Sequence, residues 1–196
     1  MNTTYNPAIH HRRSIRLRNY DYGQAGYYYV TICTHKKRHM LGEIVDSQMN
    51  LSEMGAIVEL ELLKTEQIRE YVKIHEYVIM PNHIHAIIQI MDRDEPNDPV
   101  RARRWHALIA SNHDENSPVR LTPNTLGSII CQLKSITTKQ CRQSGHPEFA
   151  WHRGYHERII RNVDELFQVR QYIRANPMEW AMDKENGMCC GENGNG

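Results

Sequence analysis

Hydrophobic and polar positions follow two patterns along this chain, one typical of strands and one typical of helices. Short runs rich in β-branched and aromatic residues predict strands at residues 27–34, 72–80, 83–90 and 149–160. Apolar residues at helical spacing predict helices at residues 52–70, 125–143 and 162–176. Pro81 and Asn82 supply the turn of a hairpin between the second and third strands, and a turn-rich link follows the first strand.

The ends of the predicted helices carry recognisable residues. Ser52 and Asn162 are good N-caps, and Pro177 predicts the end of the last helix because proline disfavours helical geometry in the residue before it. The order strand, helix, strand, strand, helix, strand is the split βαβ arrangement of a ferredoxin-like α+β domain. We therefore expect an antiparallel sheet with helices on one face and an additional C-terminal helix.

The length of 196 residues fits one domain with insertions. Residues 1–26 form a basic arm, residues 92–124 a polar loop insertion, and residues 181–196 a polar tail that we expect to be disordered. No apolar run reaches the roughly 18 residues of a membrane span, and the N-terminus lacks the apolar core of a signal peptide. Five cysteines without C-x-x-C spacing indicate reduced thiols. We expect a cytoplasmic protein with no membrane partner.

The most apolar part of the chain, "YVIMPNHIHAIIQI", contains two histidines one residue apart. In a strand, His83 and His85 point to the same face, where two imidazoles can share one divalent ion. Histidine binds several transition metals and can join oxygen ligands around Mg or Mn. A nucleotide hydrolase of the histidine-triad type would need a further histidine where Ile87 stands. Spacing alone leaves both a metal site and two ordinary strand histidines open.

The last predicted helix adds a candidate nucleophile and a candidate ligand. Tyr172 and Asn176 are four residues apart and therefore lie on one helical face. A tyrosyl oxygen can attack a phosphodiester when a cation stabilises the charge that develops on the phosphate, and an amide oxygen suits a hard ion. Taken alone, Tyr172 is better explained as a helix residue that packs on the sheet, since the chain contains ten tyrosines.

Several segments together resemble one known family. "MPNHIHAII" and "WHRGYHERIIRNVDELFQVRQYIRANP" resemble the REP-associated tyrosine transposases, which are single-tyrosine members of the HUH group. "HRRSIRLRNYDY" with "GYYYVTICT" is similar to the opening of that family, and "LGSIICQLKSITTK" is similar to its basic helix. The segments occur in the same order as in the family, which is more specific than any one of them.

The resemblance implies a catalytic domain at residues 27–180 that binds single-stranded or hairpin DNA with a divalent ion, Mg or Mn. It implies that His83, His85 and Asn176 are the metal ligands and that Tyr172 is the nucleophile. The implied reaction leaves a 5′-phosphotyrosine on the enzyme and a free 3′-hydroxyl on the DNA. The enzyme would act as a monomer or a homodimer.

The resemblance makes the basic residues and two tyrosines candidates for contacts with DNA. Tyr20 or Tyr22 becomes a candidate for stacking on unpaired bases. The candidates for phosphate contacts are Arg12, Arg13, Arg16, Arg18, Lys134 and Lys139. A second basic run, Lys36 to Arg38, follows the first strand, and a merely solvated basic surface remains open for either run.

The chain also departs from the family after Trp151. His152 replaces a Gln, His156 replaces an aromatic residue, and Arg158 replaces a histidine. Two other functions therefore stay open: a hairpin-DNA-binding protein without catalysis, and a metal-dependent hydrolase that uses the two histidines without Tyr172.

Overall fold

The computed structural model describes residues 20–92 and 124–182. Arg12, Arg13, Arg16 and Arg18, most of the predicted insertion (residues 93–123) and most of the predicted tail (residues 183–196) lie outside the described residues. The strands are β1 (Gly26–Cys33), β2 (Gly42–Val45), β3 (Gln48–Leu51), β4 (Val72–Met80), β5 (His83–Ile90) and β6 (His156–Ile160). The helices are α1 (Glu53–Ile68), α2 (Leu126–Gln143) and α3 (Val163–Glu179), with short 3-10 turns at His35–Lys37 and Trp180–Met182.

The main sheet has four strands in the order β4-β5-β1-β6, and each neighbouring pair is antiparallel. This is the strand order of a ferredoxin-like split βαβ domain, so the predicted α+β fold is confirmed. In the register of the sheet, Tyr29 lies opposite Ile87 on one side and Arg158 on the other, while Cys33 lies opposite His83. Residues that lie opposite each other in this way share a face of the sheet.

The two faces of the sheet carry different layers. Ile84, Ala86 and Ile88 of β5 join the larger core, which includes the buried residues of α1 and α2. Ile87 instead packs with Val169 and Ile173 of α3. Successive side chains of β5 therefore pack on opposite faces of the sheet, and α3 lies on the face opposite to α1 and α2.

The predicted helix starts are confirmed by their capping contacts. The Ser52 hydroxyl accepts a hydrogen bond from the Gly55 amide at 3.1 Å, and the Asn162 side chain accepts one from the Glu165 amide at 2.8 Å. Each cap satisfies one of the amide donors that a helix leaves unpaired in its first turn. None of the helices in the described ranges is long and apolar enough to cross a membrane.

The predicted end of the last helix is wrong, because α3 continues through Pro177 to Glu179. The fixed φ of proline is compatible with a helix, and in the last turn its missing N–H removes a single hydrogen bond. Ile173 and Asn176, which precede Pro177, are buried, and Ile173 packs on Ile87 of the sheet. Tertiary packing thus outweighs the local preference against a helical residue before proline.

Two further boundaries differ from the sequence pattern. The link after β1 contains the hairpin of β2 and β3, whose turn residues Asp46 and Ser47 both have positive φ. The predicted strand at residues 149–160 is shorter, because only His156–Ile160 pairs along β1, while Trp151 makes an isolated bridge to Thr34. The chain between them bends at Arg153, which breaks the strand into two unequal pieces.

Candidate active site

The two histidines of β5 lie side by side on the face of the sheet that α3 covers. Their ring centroids are 4.4 Å apart, and His83 and His85 are 0% and 2% exposed. They stand at the end of the sheet where the turn Pro81–Asn82 brings β4 into β5. The predicted placement of both imidazoles on one face is therefore observed.

The hydrogen bonds of Asn82 determine which nitrogen of His83 carries its hydrogen. Asn82 Nδ2 donates to the Lys37 carbonyl at 3.3 Å, so its Oδ1 is the atom that accepts from His83 Nδ1 at 2.8 Å. The neutral ring then has its lone pair on Nε2. That atom is buried and has no hydrogen-bond partner within the described part of the chain. Burial, with a smaller contribution from the charge of Lys37, lowers the pKa of His83 to about 3.

His85 is held by two hydroxyl groups from β1. Its Nδ1 is 2.7 Å from the hydroxyl of Tyr29 and 2.9 Å from Oγ1 of Thr31. The Tyr29 ring also stacks on the imidazole, with centroids 5.3 Å apart and planes inclined by 29°. When Nδ1 donates to either hydroxyl, Nε2 carries the lone pair, as in His83. The ring orientation of His85 is therefore fixed by the neighbouring strand β1.

Three residues of one stripe of α3 and its extension cover the pair. The Tyr172 ring is 5.4 Å from His85, and the Trp180 ring is 6.0 Å from His83. Asn176 lies between them on the same stripe and is 2% exposed, and its Oδ1 has no hydrogen-bond partner among the residues described. Tyr172 remains 41% exposed. The structure therefore brings Tyr172 into contact with the predicted histidine pair and places the predicted ligand Asn176 on the same buried stripe of α3.

This donor set fits a divalent cation. Among the described residues, no donor reaches the buried acceptors His83 Nε2 and Asn176 Oδ1, and an amide oxygen with imidazole nitrogens suits a divalent metal ion. In residues 20–92 and 124–182, no group of three His, Cys, Asp or Glu side chains could hold a metal ion. Any metal at this site would depend on the histidine pair and the amide.

An open cleft of about 380 Å³ lies beside Tyr172 and is lined by Tyr29, Arg158, Gln168, Val169 and Tyr172. Arg158 supplies a positive charge to this cleft. Its Nε makes an ion pair with Glu165 at 2.6 Å, which fixes the guanidinium close to the start of α3. A ligand that reaches Tyr172 from solvent would therefore meet the exposed guanidinium of the Arg158–Glu165 ion pair and two aromatic rings.

Other residues predicted to contact DNA lie away from this site. Lys134 and Lys139 belong to α2, which packs on the opposite face of the sheet. The Lys134 ammonium donates to the carbonyls of His152 and Gly154 at 2.8 and 2.7 Å, and burial lowers its pKa to about 8. Lys139 is exposed. Lys134 thus connects α2 to the segment before β6 through hydrogen bonds, whereas the side chain of Lys139 faces solvent.

The two tyrosines predicted to stack on bases are partly buried and pack against the larger core. Tyr20 and Tyr22 have ring centroids 4.8 Å apart, and the Tyr20 hydroxyl is 3.3 Å from that of the buried Tyr28. Tyr28 belongs to the larger core, and Tyr20 and Tyr22 pack against it on the α1 and α2 side of the sheet. In this arrangement neither ring reaches the histidine pair.

Comparisons with known proteins place this geometry in context. No protein-family model matches the chain. An uncharacterized protein of Haemophilus influenzae is 36% identical over 186 residues, which is 94% of this chain and 98% of that protein. The two chains therefore belong to one family.

Solved structures add similarities of shape. One is a REP-associated tyrosine transposase bound to a REP hairpin, with 17% identity, a TM-score of 0.49, and coverage of 88% of this chain and 77% of that one. Another is a candidate transposase from Deinococcus radiodurans, with 14% identity, a TM-score of 0.40, and coverage of 82% and 96%. At these values, neither similarity carries a statement about the chemistry of this chain.

Proposed function

We propose that this chain is a REP-associated tyrosine transposase: an enzyme that cleaves and rejoins single-stranded or hairpin DNA through a covalent bond to Tyr172. The observation that carries the proposal is the contact between the half-exposed Tyr172 and the buried His83–His85 pair on one face of the sheet. A tyrosine accessible to solvent beside a preformed set of metal donors is the arrangement that phosphodiester attack requires. The sequence resemblance points to the same residues.

We propose that His83, His85 and Asn176 hold a divalent ion, Mg or Mn. The hydrogen bond from His83 Nδ1 to Asn82 leaves Nε2 ready to coordinate, and the low pKa of His83 keeps that nitrogen unprotonated at neutral pH. The amide oxygen of Asn176 adds a hard donor. When bound, the ion would polarise the phosphate and stabilise the charge on its oxygens.

The reaction exchanges one phosphodiester bond for another. The Tyr172 oxygen forms a bond to phosphorus, the bond from phosphorus to the 3′-oxygen breaks, and the tyrosyl proton is passed through solvent to the leaving 3′-oxygen. The products are a 5′-phosphotyrosine and a free 3′-hydroxyl, and the reverse attack by a 3′-hydroxyl rejoins DNA. No nucleotide cofactor is needed because the phosphotyrosine retains the energy of the bond.

The cleft beside Tyr172 is the proposed entry for the scissile strand. The Arg158 guanidinium would contact a phosphate oxygen while Glu165 holds its Nε, and the Tyr29 and Tyr172 rings offer faces for an unpaired base. The histidine pair, Asn176 and Tyr172 all come from one chain. We therefore propose that a monomer contains one complete site.

A hairpin oligonucleotide with single-stranded flanks tests the proposal. With Mg or Mn present, the protein should form an adduct with DNA that survives denaturing electrophoresis, and Tyr172→Phe should abolish it. Tyr27→Phe is a matched control, since Tyr27 lies two residues before Tyr29 on the same face of the sheet. Cleavage that persists in Tyr172→Phe would reject the tyrosine mechanism and favour a metal-dependent hydrolase.

A second candidate function is hairpin binding without catalysis. It is favoured by the donor set, because two imidazoles and one amide carry no negative charge and hold hard ions less strongly than carboxylates do. A binder would shift the mobility of the oligonucleotide in a salt-dependent manner and form no adduct in either Mg or Mn.

A further inference from the structure

The basic turn, residues 35–39 with the sequence His-Lys-Lys-Arg-His, connects the end of β1 to Met40. All five residues are exposed. They contribute nothing to either hydrophobic core of the described structure. The function proposed above uses none of their side chains, although Lys36, Lys37 and Arg38 bring three permanent positive charges to one short surface segment.

This turn borders the histidine pair. It begins two residues after Cys33, which lies opposite His83 in the sheet. The His39 ring is 5.5 Å from the Trp180 ring, and Trp180 in turn lies 6.0 Å from His83. The turn and Arg158 therefore flank the site at opposite ends. Along β1 the separation from Tyr29, opposite Arg158, to Cys33 is about 13 Å at roughly 3.3 Å per residue.

Hydrogen bonds fix the turn to the same residue that orients His83. The Thr34 hydroxyl donates to the Arg38 carbonyl at 2.7 Å, and the Thr34 amide donates to the Asn82 carbonyl at 2.8 Å. Asn82 also donates to the Lys37 carbonyl and accepts from His83. The position of the turn relative to the histidine pair is thus set by buried polar contacts.

The backbone of the turn is strained at two lysines. Lys36 and Lys37 have φ values of 56° and 53°, in the left-handed region that normally favours glycine or asparagine. Their side chains are exposed, so packing gives no reason for lysine at either position. Residues held in this region by surrounding contacts cluster at active sites and at segments that bind ligands.

We propose that the basic turn binds backbone phosphates of the DNA strand as it leaves the histidine pair, on the side opposite to Arg158. The inference rests on the proposed function, since it supplies a second cationic contact for the same strand. Lys36 and Arg38 make no ion pair in the described part of the chain, and the fixed backbone presents them without the cost of ordering a loop on binding.

The test compares the double variant Lys36→Gln/Arg38→Gln with Lys73→Gln. Glutamine removes charge while keeping a long polar side chain, and Lys73 is an exposed lysine opposite Gln89, at the other end of β5. Binding of the flanked hairpin oligonucleotide is measured by fluorescence anisotropy in chelator, between about 50 and 200 mM salt. Each lost single-strand phosphate contact should reduce the slope of log K against log salt by about 0.7.

The salt slope of the double variant should therefore be smaller in magnitude than that of the wild type by about 1.4. Over this fourfold change in salt, the fold-decrease in affinity should then be about sevenfold smaller for the variant than for the wild type. Lys73→Gln should retain the wild-type slope. The charge-conserving variant Lys36→Arg/Arg38→Lys should also retain it, which separates lost charge from disturbed folding. A slope in the double variant equal to that of Lys73→Gln would overturn the inference.

The adduct assay distinguishes this result from failure of the proposed function. In the presence of Mn, the double variant should need several times more DNA for half-maximal adduct. If the wild type forms no adduct but the double variant still shows a reduced salt slope, catalysis is rejected and the phosphate contacts are supported. Adduct formation with an unchanged slope would reject the contacts alone.

Discussion

Replacing His83 by glutamine should remove a component of the acid sensitivity of this protein. In the folded chain the pKa of His83 is lowered to about 3, mainly by burial, whereas an unfolded histidine titrates near 6.5. Between these two values the unfolded state binds a proton that the folded state does not. The free energy of unfolding must therefore rise with pH across that window.

The expected magnitude follows from the size of the window. One proton corresponds to about 1.4 kcal/mol per pH unit, so His83 should destabilise the fold by about 2 kcal/mol at pH 5 and about 3.4 kcal/mol at pH 4. Above about pH 6.5 the imidazole is neutral in both states and the effect is absent. These amounts are a large part of the 5–15 kcal/mol typical of a domain.

Urea unfolding in chelator at pH 7, 6, 5 and 4 measures the effect. The wild-type free energy of unfolding should fall faster with acidification than that of His83→Gln or His83→Ala, by about 1.4 kcal/mol per unit below pH 6. Comparing slopes cancels any uniform loss of stability from the substitution. Parallel curves for wild type and both variants would show that the ring is not held neutral in the folded protein.

Three other substitutions test the surroundings of the site. Tyr29→Phe keeps the stacked ring but removes a hydroxyl from His85 Nδ1, so Mn affinity by titration calorimetry should fall at least about tenfold; an unchanged affinity would contradict this positioning role. Gly55→Ala should cost more than about 2 kcal/mol in urea unfolding, because the added Cβ would lie 2.0 Å from the Leu41 carbonyl oxygen. Lys134→Met should lower the free energy of unfolding by about 1 to 2 kcal/mol, because it removes the hydrogen bonds to the carbonyls of His152 and Gly154. A reduced salt slope of DNA binding in this variant would instead show that Lys134 contacts a phosphate.

Much of the fold could be predicted because its signals are local. The hairpin of β4 and β5 has the bounds that the sequence pattern gives, since two β-branched runs flank a Pro-Asn turn. The β2–β3 hairpin could not be predicted in this way. Its turn places Asp46 and Ser47 at positive φ without the Asn-Gly or Asp-Gly pair that usually indicates such a turn.

The candidate site was predictable only in part, for a different reason. The alternation of a strand places His83 and His85 on one face, and helical spacing joins Tyr172 to Asn176. The contacts of Tyr29 and Thr31 with His85 span 56 and 54 residues and depend on the register between β1 and β5. Local sequence does not encode that register, so residues that orient the histidine were not identified beforehand.

The composition of the two sheet faces argues that the polar cluster serves function more than folding. On the α1 and α2 face, β5 contributes Ile84, Ala86 and Ile88, and each adds to a continuous apolar core. On the α3 face, Ile87 makes comparable contacts, but the next two positions toward the turn hold buried imidazoles. A buried polar atom without a hydrogen bond costs about 1–3 kcal/mol, and aliphatic residues there would avoid that cost. These buried imidazoles lie where α3 also presents Tyr172 to solvent, and this coincidence links the cost to the chemistry of the tyrosine.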